Sequence, residues 1–240
     1  MSDTPALSRK DMREPDRFQN VASQAASWLA ARKKLIALVG GAVAVVVVAA
    51  GVVSSIQTSK QQAAGLALSK VLQTANAMVM DVPKPAPGTF KTEEEKQKAV
   101  IAEADKLVAD QGLNRTTVLA VLAKANAHFA LEEWDAASGA YEQFLKEAPA
   151  EDSFRFLALE NLGMVAEAKG DLAAAAQAFE RMAKEAPAYA DRADLDRARV
   201  LAGAGKVDEA KQILTKFAEV HNESPLQREA SEQLAKLGAK

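Results

Sequence analysis

Residues 169–187 read KGDLAAAAQAFERMAKEAP, and the order of residue types in this stretch decides the fold. A Gly170-Asp171 turn is followed by a small residue at Ala175, a bulky one four positions later at Phe179, and a closing Pro187. The same order returns in EEWDAASGAYEQFLKEAP from Glu132 and in AGKVDEAKQILTKFAEVHNESP from Ala204. Trp134, Leu172 and Val207 share one position; Ala137, Ala175 and Ala210 share the next; Tyr141, Phe179 and Leu214 share the third. Pro149 and Pro187 close the first two units, and Pro225 closes the third three residues late. In front of each turn lies another stretch with apolar residues at helical spacing, over 118–131, 154–168 and 191–204, so the unit is helix, turn, helix. The bulky position recurs after 38 and then 35 residues, which predicts a longer connector around Ala150 to Ser153.

This pattern resembles the tetratricopeptide repeat, a helical hairpin that favours glycine and alanine at close helix contacts and proline at its end. The middle unit matches best, with Leu162 and Gly163 in its first helix, Gly170 and Asp171 at the turn, Ala175 and Phe179 in its second helix, and Pro187 after it. In the other two units Lys124 and Arg197 stand in the leucine position, and Ala125 and Ala198 in the glycine position. The resemblance implies a right-handed helical-hairpin solenoid with a groove lined by the first helix of each unit. In that register the groove carries Leu119, Leu122, Asn126 and Phe129, then Glu160, Met164 and Glu167, then Arg192, Leu195 and Arg199. The family's lysine-rich clamp for a C-terminal carboxylate is not matched, since Leu122 occupies a position where lysine is expected. Leu119, Leu122 and Phe129 have a second reading, as packing against a helix over 92–110.

Outside the repeats, 224–240 reads as a capping helix, with Ser224 as its N-cap and Leu226, Ala230, Leu234 and Leu237 on one face. Upstream, 57–112 reads as a helical hairpin around a proline-rich connector at 81–91. Its first helix runs on through Leu66, Leu68, Val71, Leu72, Ala75, Met78 and Val79, and its second opens on a Thr92…Glu95 capping box. Residues 35–56, LIALVGGAVAVVVVAAGVVSSI, hold no charge and as a helix rise about 33 Å, enough to span a hydrocarbon core of about 30 Å. Arg32, Lys33 and Lys34 precede this stretch, and by the positive-inside rule 1–34 is then a cytoplasmic tail. A cleaved signal peptide is the rival reading, opposed by the 34-residue leader and the length of the apolar run. Gly40, Gly41, Ala44 and Gly51 offer small-residue positions for self-association of the span. The expected fold class is therefore all-α: one N-terminal transmembrane helix followed by about three tetratricopeptide-like hairpins over 113–223.

Charge and composition narrow the chemistry. Residues 1–34 hold seven Lys/Arg against four Asp/Glu, and the remainder holds 23 against 28, so the body is acidic and lacks the basic stripe a nucleic acid needs. With no cysteine there is no disulfide, thiolate ligand or cysteine nucleophile. His128 and His221 lie in different units without a helical partner, so no metal site is expected, and no cofactor either. Glu93–Glu95 and Asp191, Asp194 and Asp196 read as helix caps and solvated faces. The expectation is a binding protein and not an enzyme.

A short tail, one span, an outward helix, a proline break, the stretch FKTEEEKQKAVIAEADKLVAD and a small repeat domain together resemble the ancillary subunit of the Sec translocon of Gram-negative bacteria. That resemblance implies an inner-membrane anchor with a periplasmic C-terminal domain. The partners it implies are translocon subunits, a periplasmic chaperone or unfolded clients. An envelope assembly scaffold for cell division, secretion or wall synthesis, holding one dedicated partner, is the alternative.

Overall fold

The computed structural model describes residues 33–82 and 86–238, with 33–47, 51 and 53 described by backbone alone. Chain contacts separate it into two units, Met1–Ser59 and Lys60–Lys240. The first helix, α1, is Lys33–Ala75; then follow α2 (Glu93–Gln111), α3 (Val118–Ala130), α4 (Trp134–Glu147), α5 (Arg155–Ala168), α6 (Leu172–Glu185), a 3-10 turn at Pro187–Tyr189, α7 (Ala190–Gly203), α8 (Val207–Val220) and α9 (Gln227–Gly238). Among the described residues there is no strand, only an isolated bridge between Val79 and Phe90. The expected tail, 1–34, lies outside the described residues except for the backbone of its last two. No helix stretch among the residues described with side chains is long and apolar enough to cross a membrane. Most of the expected span, over 35–47, lies outside them.

α1 ends sooner than its apolar periodicity predicts. Asn76 turns back on the last turn, with both its backbone N–H and its side-chain amide donating to Leu72 O, at 3.1 and 2.8 Å. Those bonds satisfy a carbonyl that the helix end would leave open. Met78 to Met80 then run extended: Phe90 N–H donates to Met78 O at 3.0 Å and Met80 N–H to Phe90 O at 2.9 Å. Met78 and Val79 are thus exposed connector residues, not part of a helical face, and Leu66 also points to solvent. Within the second unit, Leu68 and Val71 of α1 pack on Val100, Ala104 and Leu107 of α2 and on Ala120 and Ala127 of α3. Burying each such Leu or Val contributes about 1.5–3 kcal/mol. Thr92 caps α2 by accepting from Glu95 N–H at 3.1 Å, while Glu95 accepts from Lys91 N–H, one residue earlier than a capping box requires.

The hairpins α3–α4, α5–α6 and α7–α8 share one core with α9. Each second helix brings two bulky residues a turn apart, Tyr141 and Phe144, Phe179 and Met182, Leu214 and Phe217, and all are buried. Opposite them the first helices present the smallest residues, Ala125, Gly163 and Ala198, which is why the helices approach so closely. The turns are alike: Glu132, Gly170 and Gly205 all take positive φ, at 59°, 78° and 80°. Each is followed by a backbone N–H that reaches over the turn, from Glu133 to His128 O, Asp171 to Ala166 O and Lys206 to Leu201 O. This is the closed helix end that glycine normally serves, and Glu132 occupies it at a steric cost.

The two charged residues in the leucine position stay in place by pairing with a neighbouring helix. Lys124 Nζ reaches Asp105 of α2 at 2.5 Å, and Arg197 Nη2 reaches Glu180 of α6 at 2.9 Å.

Candidate functional site

The first helices α3, α5 and α7 share one face, with side-chain bonds running from each to the next. Of the ten residues expected there, two are core residues. Leu122 and Leu195 are 6% and 1% exposed and belong to the main apolar cluster, so they do not line a groove. Their equivalent in the middle unit, Glu160, is itself mostly covered, which makes this a boundary position on the helix. Leu119 is half-buried between the two apolar clusters, against α2 as well as the repeats. Phe129 is half-buried with its ring edge-on to Trp134, centroids 5.4 Å apart.

Of the other six, all but Met164 form a polar ladder that runs across the hairpins. Glu167 receives a forked pair from Arg199, Nη1 at 2.6 Å and Nη2 at 2.9 Å. Glu160 faces Arg192 Nε at 3.4 Å. Asp196, absent from the expected set, joins both arginines: Arg192 Nε donates to it at 2.7 Å and Arg199 Nη2 at 3.2 Å. With its carboxylate mostly covered, Asp196 is worth more as an anchor than an exposed ion pair would be. Hydrogen bonds to Glu167 hold the Arg199 guanidinium more basic than a free one. Between α3 and α5 the rungs are neutral: Tyr141 OH donates to Asn126 Oδ1 at 2.7 Å, and Asn161 Nδ2 donates to Tyr141 OH at 2.8 Å and to Asn126 Oδ1 at 3.2 Å. Burial raises the Tyr141 phenol well above its ordinary value, so its proton stays on. Met164 stands among these groups with its side chain exposed.

Asn161, Tyr141 and Asp196 are therefore the site residues that sequence reasoning missed. A partner 35 residues away on the next first helix was the available signal for Asn161, since Asn126 and Asn161 differ by about one repeat. Of the acidic trio on α7, Asp191 stands in the first turn as expected of a helix start, but Asp194 and Asp196 are not a solvated face. Asp191 accepts from Ser224 Oγ at 2.6 Å and Asp194 lies 2.9 Å from His221 Nε2, so two of the three hold the segment that leads into α9. The other histidine, His128, has its Nδ1 2.6 Å from Glu133 Oε2 at the first turn.

A second cluster joins the first two repeats. Arg155, at the start of α5, donates from Nη1 to Leu145 O at 2.7 Å and to Ala148 O at 3.3 Å, carbonyls at the end of α4. Its other nitrogen pairs with Glu185 of α6, which also accepts from Arg181 Nε at 2.5 Å. Burial pushes the Glu185 carboxyl up, but the hydrogen bonds from Arg181 and Arg155 outweigh it and leave the group below its ordinary 4.5.

The tetratricopeptide repeat family model matches residues 122–190. No curated protein matches the sequence. Among solved structures, the nearly identical TPR-like repeats of a Podosopora anserina chain described as a kinesin light chain are similar at 17% identity, over 60% of this chain and 79% of that one, with a TM-score of 0.48. A single-substitution variant of those repeats gives 17% identity and a TM-score of 0.47, over 60% and 78%. MamA is similar at 23% identity over 60% of this chain and 77% of its own, with a TM-score of 0.42. Residues 122–190, which run from within α3 to the start of α7, are thus similar to tetratricopeptide repeats.

Proposed function

We propose that the chain is a protein-binding scaffold whose α3, α5 and α7 face receives an extended segment of another protein. The observation that carries this reading is the Asn126, Tyr141 and Asn161 cluster next to exposed Met164. There, amide groups and a flexible apolar side chain face outward on a frame fixed by buried rings. An extended peptide offers backbone donors and acceptors that side-chain amides on such a face can meet.

The uncharged run 35–56 behind the Arg32–Lys34 triplet supports an inner-membrane anchor with the repeats in the periplasm. Together with the resemblance stated above, it supports a place beside the Sec translocon, helping a periplasmic chaperone receive exported chains. A dedicated envelope-assembly partner is the second reading. It is favoured by the ion-paired ladder of Glu160, Glu167, Arg192, Asp196 and Arg199, since a face whose charges are already fixed suits one complementary surface better than many.

Photocrosslinkers placed at Glu160 and Arg199 of the full chain in cells test both. A smear of exported clients with translocon subunits supports the first reading, and one discrete adduct supports the second. No adduct at either position, with crosslinks obtained from α8 or α9 instead, would refute the binding face itself.

A further inference from the structure

The ladder does not stop at Glu160 and Arg192. One turn earlier on α5 is Phe156, and three residues earlier than Arg192 is Tyr189; their rings stack with centroids 3.8 Å apart and planes 15° from parallel. They form one wall of a cavity of about 340 Å³ where the 150–153 connector meets the turn between α6 and α7. The rest of the lining is Glu151, Asp152, Glu185 and Pro187, with small residues between them. The residues that lengthen the first repeat spacing to 38 are thus the ones that complete this cavity.

Three observations point to the same occupant. Among the described residues, Phe154 and Tyr189 are the aromatic side chains with large exposure, 46% and 39%, and both belong to this corner of the fold. Of the described residues that line the cavity none is basic, and Arg155 beside it is already committed to Leu145 O, Ala148 O and Glu185. Among the described residues Asp152 accepts only a local side-chain bond, from Phe154 N–H to Oδ1 at 2.8 Å, and Glu151 at the rim is exposed. A stacked aromatic wall beside uncompensated carboxylates suits a planar cation, which lays its face on the ring and forks its N–H groups to a carboxylate; guanidinium does both and ammonium only one.

We propose that this cavity takes an arginine side chain of the partner segment, the outer face of Tyr189 carrying the guanidinium and Glu151 with Asp152 receiving its N–H groups. The proposal rests on the α3, α5 and α7 face as the binding face, and it adds the chemistry of one anchor at its end.

Acetyl-arginine amide and its neutral isostere acetyl-citrulline amide are titrated into the full-length chain, and backbone amide shifts are followed by NMR. The arginine amide is expected to move residues 151–156 and 186–189, with binding about tenfold weaker for citrulline and for Tyr189→Ala. Glu151→Gln, at an exposed site that leaves folding intact, is expected to weaken it several-fold. Equal response to citrulline, unchanged binding in both variants, or no shift at these residues would overturn the proposal. So would concentration-dependent shifts of the same residues without any ligand, which would assign the cavity to a second copy of this chain. If the arginine amide binds here while crosslinks at Glu160 and Arg199 give nothing, the anchor stands and the extended face fails; the reverse result removes only the anchor.

Discussion

In the middle repeat Phe179 lies over Gly163, where an added Cβ would come within 2.5 Å of the ring. In the third repeat the same two positions hold Ala198 and Leu214, and in the first Ala125 and Tyr141, all buried. One crossing is thus built three ways: a large ring over no side chain, a branched aliphatic over a methyl, and a phenol over a methyl with its hydroxyl carried out to Asn126 and Asn161. The turns differ too. Asp171 accepts from Ala174 N–H at 2.9 Å, whereas Glu133 and Lys206, with nearly the same backbone angles, make no side-chain cap. What is shared among repeats is the sum of the two side chains and the path of the chain, and the individual residues are free to trade.

The strongest test of that trade is Gly163→Ala, expected to cost about 1–3 kcal/mol because the methyl collides with a buried ring. Adding Phe179→Leu recreates the third repeat's pair, and the double variant is expected to unfold at a higher urea midpoint than Gly163→Ala alone. A double variant no more stable than Gly163→Ala would show that the pairs are not interchangeable.

Tyr141→Phe comes next, with an expected loss of about 0.5–1.5 kcal/mol as the Asn126 and Asn161 amides lose their shared partner. Its effect should be additive with Gly163→Ala if the two crossings are independent, which thermal unfolding of the combined variant reads directly. Asp171→Ala should cost about 1 kcal/mol through the lost cap, and Lys206→Asn should gain a few tenths, since its backbone already has the conformation the cap needs.

The smallest effect is one of pH. Glu185 has its folded value lowered, so its contribution to stability is full above the ordinary 4.5 and is lost as pH falls through and below it. Between about pH 5 and about pH 3 the urea midpoint should therefore fall less in Glu185→Gln than in the unmodified chain. An identical decline in both would show that the Arg155 and Arg181 pairs contribute nothing beyond position.

These same pairs mark what a sequence can reveal. The hairpins were legible because Ala175 and Phe179 lie on one helix, four residues apart, so the constraint that joins them is local and recurs. The ladder was not, because which residue of α5 faces which of α7 depends on how one hairpin settles on the next. The register implied by the repeat resemblance puts Leu122, Glu160 and Leu195 at one position; Glu160 stays at the boundary, while Leu122 and Leu195 turn inward because a leucine at a boundary gains by burial and a glutamate does not. Asp194 and Asp191 resembled helix caps because nothing nearby in sequence hinted at His221 and Ser224, 27 and 33 residues on. The end of α1 was hidden for a simpler reason: Met78 and Val79 continue an apolar rhythm that Asn76 has already cut short.

Arg155 holds the closing carbonyls of one hairpin with one nitrogen and the base of the next with the other. Strain arriving at either unit is thereby passed to its neighbour before either lets go. Replacing Arg155 by alanine should therefore lower the force at which the first two hairpins part and leave the parting of the second from the third unchanged.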